Sequence, residues 1–260
     1  MDWRSRRKAM YIGGVVIFFV ILLSYPTYQL LKREPTCFDG RKNQDELGVD
    51  CGGSCELICA NQVSPLSLMW SRSFKVADGT YSSVAFIENP NFNAAILSVP
   101  YIFRLYDASN LLIAERRGQT YVSTDGITPI FEPRITTGVR GAVRTTFEFT
   151  GGIQWHELRD PKILTLVSQE LLNQNTSPRI NAVVHNDDVR SLSDIEVVAV
   201  VFGLDGNAIG ASQTIIPSIG PDSDAPIFFT WPEPFSGQVG RIDIIPRIPP
   251  RQPGLLITTE

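Results

Sequence analysis

The chain has 260 residues, with 23 lysines and arginines against 27 aspartates and glutamates, for a formal charge of −4. Past residue 31 the balance is 19 basic to 26 acidic, a charge of −7. That argues against nucleic acid, whose binding needs a basic face. Two histidines, His156 and His185, and the lack of a nucleophile, phosphate-loop or dinucleotide motif leave no catalytic or histidine-metal set to assign, so a non-enzyme is expected.

The chain opens on a basic stretch, residues 1–9, with Arg4, Arg6, Arg7 and Lys8 opposed by Asp2 alone. Residues 10–31 then run uncharged from Met10 to Leu31. A helix needs about 20 residues to cross a hydrocarbon core, and it satisfies its own backbone amides there. Tyr11, Tyr25 and Tyr28 sit near the ends, where aromatic rings favour the interface. A single-pass membrane anchor is therefore expected, with the N-terminus cytoplasmic and the rest of the chain extracytoplasmic. A cleaved secretory signal is the competing reading. Its core is usually shorter and ends in small residues, whereas here the exit is Ser24-Tyr25-Pro26-Thr27-Tyr28. Whether the anchor is ever cleaved stays open.

Residues 32–62 form a cysteine-rich module holding Cys37, Cys51, Cys55 and Cys59, spaced C-x13-C-x3-C-x3-C. An even cluster in a translocated segment too short for a core predicts two disulfides, and three pairings are possible. A four-cysteine zinc site is the competing reading, disfavoured by the oxidising location. Asp39, Asn43, Asp45 and Asp50 supply oxygens between turns at Gly40 and Gly48. This pattern fits a solvated acidic turn; it also permits calcium, though it is not an EF-hand loop. No other cofactor is implied. The stretch DGxxNxxExGVDCGGxCxxxC resembles a short cysteine motif of surface and secreted bacterial proteins.

The remainder has a mostly β pattern. Runs rich in Val, Ile, Phe, Tyr and Thr recur at 80–88, 99–106, 111–116, 127–131 and 143–149, then at 163–168, 179–185, 194–202, 208–216, 225–231 and 241–245. The spacing predicts two tandem β-sandwiches, at 63–152 and 163–248, a linker at 153–162, and a proline-rich tail at 249–260. Trp155 in the linker is expected to pack between the domains, and His156 and Glu157 beside it to have a surface role. An internal repeat supports the division. An asparagine-led turn at Asn89 or Asn186 precedes an apolar strand that runs into Asp107 or Asp205 and a hairpin, Asp205-Gly206-Asn207 in the second copy.

Phe103-Arg104-Leu105-Tyr106-Asp107 spells FxLYD, and the pattern around it resembles the FxLYD family of small extracytoplasmic sandwich domains. The second copy keeps Leu204 and Asp205 but has Gly203 and lacks the tyrosine. The whole layout is similar to uncharacterised membrane proteins of candidate-phylum bacteria. This resemblance implies an immunoglobulin-like fold and a cell-envelope setting, and no reaction. Phe103, Leu105, Tyr106 and Leu204 are expected in the core, with Asp107 and Asp205 capping turns. The expected function is presentation of two sandwiches to a protein or cell-surface polymer. The alternative is an accessory subunit of a pilus, secretion or transport assembly, its anchor packed through Gly13-Gly14.

Overall fold

The computed structural model describes residues 3–31, 36–124, 126–158 and 163–250. Asp160-Pro161 of the expected linker and most of the proline-rich tail lie outside the described residues. Two compact units are present, Met1–Cys55 and Glu56–Glu260.

The first unit begins with helix α1, Trp3–Leu31, seven residues longer at its start than the apolar stretch and with Pro26 inside its last turns. Val15 to Leu23, nine consecutive apolar residues, are each 52–66% exposed. At 100° per residue they cover every side of the helix, so α1 lacks the single buried stripe of an amphipathic helix. Side chains are described continuously for 10–26, and among the described residues no helix is long and apolar enough to cross a membrane.

The second unit is β apart from one 3-10 turn at Ala60–Gln62. Its first half contains β1 (Leu57–Ile58), β2 (Ser67–Ala77), β3 (Thr80–Asn89), β4 (Ala94–Tyr106), β5 (Leu112–Val122), β6 (Gly126–Thr136), β7 (Arg144–Phe149) and β8 (Trp155–Glu157). Its second half contains β9 (Leu164–Leu172), β10 (Arg179–Asn186), β11 (Leu192–Gly203), β12 (Ala208–Ile219), β13 (Ser223–Thr230) and β14 (Val239–Arg247). In the first half, β2-β3-β6 faces β7-β4-β5, and β1-β8 extends the start of β4. In the second, β9-β10-β13 faces β12-β11-β14. All pairings are antiparallel.

The two halves thus repeat one topology, β2 to β7 matching β9 to β14, and each has its own core. Phe103, Leu105, Ile87 and Ile130 fill the first; Ile180, Val184, Val197 and Phe229 fill the second. A third apolar cluster joins them. Val84, Phe86 and Phe131 of the first half pack against Val198, Val200 and Phe202 of the second. The unit is consequently four stacked sheets with three apolar seams. β3 and β11 are covered on both faces, and their residues 81–87 and 197–202 are all buried. A continuous apolar run such as VVAVVF is the pattern a strand covered on both faces requires.

Three expectations are corrected. Trp155 does not pack between the halves: it is 5% exposed and sits with Ala94, Ile96, Val99 and Val122 in the first half's own core. The expected linker is partly sheet, since β8 pairs with Ala94-Ala95 of β4 and with β1. The cysteine-rich module overlaps the sheet unit, because Leu57-Ile58 belong to that pairing while Cys59 beyond them is disulfide-bonded.

Candidate functional site

In the cysteine-rich loop all four cysteines are disulfide-bonded, with Cys37 joined to Cys55. The oxygens around the bridge organise main chain. Asp50, held at φ 55°, accepts the amides of Asp39 (3.0 Å) and Gly40 (3.0 Å) across eleven and ten residues. Asp39 accepts Arg41 N (2.9 Å) and Asn43 Nδ2 (2.8 Å), and buried Glu46 accepts Asn43 N (3.1 Å). Asp45 takes a different partner, the Ser54 hydroxyl (2.9 Å), which holds its carboxyl below the usual range. Among the described residues, the convergent set of metal-ligand types is Cys37, Glu46 and Cys55. The two sulfurs are bonded to each other and offer no thiolate. The set therefore does not suit zinc, and the carboxylates act as a hydrogen-bonded scaffold.

The FxLYD positions divide by face. Phe103 and Leu105 are fully buried. Tyr106 points the other way, which corrects its placement in the core: its ring lies beneath the Arg144 guanidinium at 4.0 Å. Asp107 accepts Ser109 N (2.9 Å) and Leu111 N (3.0 Å), and binds Arg140 (2.9 Å) from the β6–β7 loop; these bonds hold its carboxyl low, Leu111's amide contributing most. In the second copy Asp205 accepts Asn207 N (3.0 Å) and Nδ2 (2.7 Å) in a hairpin where Gly206 takes φ 76°. Leu204 is 71% exposed, which corrects its placement in the core. It occupies the outward register of Tyr106.

The repeat has a feature that the sequence pattern shows only as a turn. Asn89 and Asn186 are fully buried. Asn89 donates to Ala94 O (2.8 Å) and Ser123 O (2.8 Å); Asn186 donates to Arg190 O (2.8 Å) and Gly220 O (2.7 Å). The far acceptor is 34 residues on in both cases, and each Oδ1 accepts the amide two residues ahead. One side chain thus ties the end of one strand to the turn and hairpin that follow.

Polar side chains flank the apolar seam between the halves. On one side Arg72 donates to Ala208 O (2.8 Å) and Asn207 Oδ1 (3.2 Å). On the other, Arg247, 6% exposed, donates to Glu196 Oε2 (2.6 Å) and Thr120 Oγ1 (2.7 Å). Nearby, Tyr101 donates to Glu132 (2.6 Å), which also holds Arg116 (2.8 Å). Burial, then this bond to a carboxylate, pushes the Tyr101 phenol well above its ordinary value. A Cβ at Gly118 would collide with the phenol oxygen, so only glycine lets Tyr101 cross there.

An open concavity, an apolar groove of about 360 Å³, lies at the edge of the first half. It lies beside β2 and β7, which Ser71 ties together through Thr145 O (3.1 Å). Leu66, Leu68, Phe147, Phe149, Ile153 and Trp155 line it. Glu148 is the sole charged liner among the described residues, so the groove can hold an apolar group but offers no acid–base pair. His156 stands beside Trp155 on β8, its pKa lowered by burial against the raising effect of Glu56. His185 lies instead among Asp224, Asp222 and Asp187, at 2.8, 3.3 and 3.7 Å.

No protein-family model matches the chain, and no curated protein does. Among solved structures, red sea bream transglutaminase is 11% identical with a TM-score of 0.23, over 71% of this chain and 29% of that one. A β-glucuronidase of glycoside hydrolase family 2 is 11% identical with a TM-score of 0.24, over 65% and 24%. The N-terminal CBM22-1–CBM22-2 tandem domain of Paenibacillus barcinonensis Xyn10C is 8% identical with a TM-score of 0.16, over 74% and 87%. The chain spans less than a third of the first two. Similarity at these scores carries no argument about fold or activity.

Proposed function

We propose that this protein is a membrane-anchored, extracytoplasmic presenter of two FxLYD-like, immunoglobulin-like sandwiches to a protein or cell-surface polymer, and that it is not an enzyme. The observation that carries the reading is the helix with apolar side chains exposed on every side. A helix apolar all round belongs inside a protein core or a bilayer. The 22 uncharged residues Met10–Leu31, behind four basic ones, supply the length and the orientation. Four bonded cysteines suit an oxidising compartment. The rigid seam between the halves suits a fixed spacer, and the groove beside Trp155 suits an apolar group of a partner.

The test is crosslinking on native membranes, followed by identification of what is captured. The chain should resist extraction by alkaline wash, retain its N-terminal peptide, and bring down one partner reproducibly. A freely soluble chain cleaved near Thr27 would sink the anchor. The cysteine-rich loop is a covalent and hydrogen-bonded spacer in this reading, so neither calcium nor a chelator should move the melting temperature.

A further inference from the structure

The outer face of β9-β10-β13 has no protein cover among the described residues. Arg179, Asn181, Val183 and His185 point outward along β10, opposite Thr230, Phe228, Pro226 and Asp224 of β13. Phe228 is 48% exposed and Val167 of β9 57%. The equivalent face of the first half carries Val84, Phe86, Pro129 and Phe131, with Val84 paired to Phe131 and Phe86 to Pro129. Each lies 97 positions before Asn181, Val183, Pro226 and Phe228 respectively. There the face is buried beneath the second half. The open face therefore keeps the proline and phenylalanine of a docked one.

Its charges are uneven from end to end: Arg179 and, across from Asn181, the exposed Glu170 of β9 stand at one end, and three aspartates at the other. Arg179 stands at the start of β10, its guanidinium 4.6 Å from the Phe228 ring centre and its Nε donating to Asn181 (2.7 Å). At the other end Asp187, Asp222 and Asp224 surround His185, with 46%, 98% and 60% of their side chains exposed. A two-fold axis through the middle of β10 would set each Arg179 against the other copy's carboxylates. Val183 and Phe228 would meet near the axis. Such self-complementarity is what an isologous contact requires.

We propose that a second copy of this chain docks face to face on β9-β10-β13. Three strands about 4.8 Å apart and eight residues of about 3.3 Å span roughly 380 Å². That falls short of the ~800 Å² per partner of a stable interface. The contact is consequently weak in dilute solution and strengthened by confinement to a surface.

The four native cysteines are all bonded, so Val183→Cys gives the full chain one reactive thiol. With a short bismaleimide on the chain in vesicles, Val183→Cys should form crosslinked dimer several-fold more than Val189→Cys, placed on the exposed turn after β10. Adding Phe228→Asp or Arg179→Asp should lower the yield several-fold, and Arg179→Asp combined with Asp224→Arg should restore it. Equal yields at 183 and 189 would overturn the proposal. So would a yield indifferent to Arg179→Asp at unchanged melting temperature, a surface change that stays informative if Phe228→Asp misfolds. Association through the helix alone would persist in both variants, and that outcome also counts against the face.

Discussion

The two halves of the sheet unit are built alike and decorated differently. Each has three strands on three in the same order, and each is pinned by one buried asparagine whose far acceptor lies 34 residues on. The outward registers diverge. On β4 they hold Ile102 and Arg104, roofed by Arg104–Glu148 (2.6 Å), Arg104–Glu115 (3.2 Å) and Arg117–Glu115 (2.9 Å) ion pairs. On β11 the matching registers, 98 positions later, are Val200 and Phe202, both buried in the seam. Position in the fold therefore does not decide which sheet docks. Replacing a charged outer row with an apolar one turns a solvated face into a buried seam.

The comparison breaks most severely at that seam. Val200→Asp would bury an unpaired carboxylate between two sheets, at a cost of about 4 kcal/mol or more. The expected result is that one cooperative thermal transition becomes two, the halves melting separately, or that the unit fails to fold. A single transition at the native temperature would show the seam to be dispensable. The asparagine clamps test the likeness of the halves. Asn89→Ala and Asn186→Ala each leave two carbonyls without their amide donor, in three of the four cases part-buried, for about 1–3 kcal/mol apiece. Chemical denaturation should give the two variants similar losses, whereas a loss in one alone would mean that the repeat is geometric but not energetic.

Arg247 should matter less. It is buried, but the Glu196 side chain is 37% exposed and can rehydrate when its partner is removed. With the carboxylate able to rehydrate, Arg247→Met should cost about 1 kcal/mol. In a double-mutant cycle with Thr120→Val it should couple measurably, since the two share a 2.7 Å bond across the seam.

Local pattern makes the strands legible. All eleven expected runs fall on β3–β7 and β9–β14, four of them overhanging by one residue, because period-two alternation and turn residues are properties of a few neighbouring positions. β2 escapes because its apolar residues, among them Leu68, Met69, Trp70 and Phe74, lose alternation at bulges around Met69 and Val76 on an edge strand. The seam escapes because docking depends on which outward row meets which. Only the unbroken run of β11 signals cover on two sides. Asn89 and Asn186 are visible as turn formers, yet their burial and distant acceptors depend on the closed sandwich. Tyr101, Glu132 and Arg247 give no signal, since a buried polar pair has no spacing in sequence. The place of Trp155 is hidden because β8 has only three residues, too few for a period.

The smallest expected effect separates the halves by titration. His185 ends β10 in the second half; its counterpart in the first, 97 positions earlier, is Glu88. The hydrogen bond to Asp224 raises the His185 pKa, with Asp187 and Asp222 adding to it and burial opposing. A histidine whose folded pKa lies above its unfolded value contributes stability that is full below about 6.5, the ordinary value, and is lost as pH rises through the folded pKa. Melting temperature should therefore fall slightly from pH 6 to pH 8, and the exposure of this cluster keeps the change small. His185→Asn should flatten that slope while leaving the acid limb alone. The acid limb includes Asp107 and Asp205, whose depressed carboxyls, like that of Asp45, contribute above about pH 4 and lose that contribution as pH falls further. If the slope between pH 6 and 8 survived His185→Asn, the charge at the end of β10 would be irrelevant to the fold, and its carboxylates would be left to serve only the outer face.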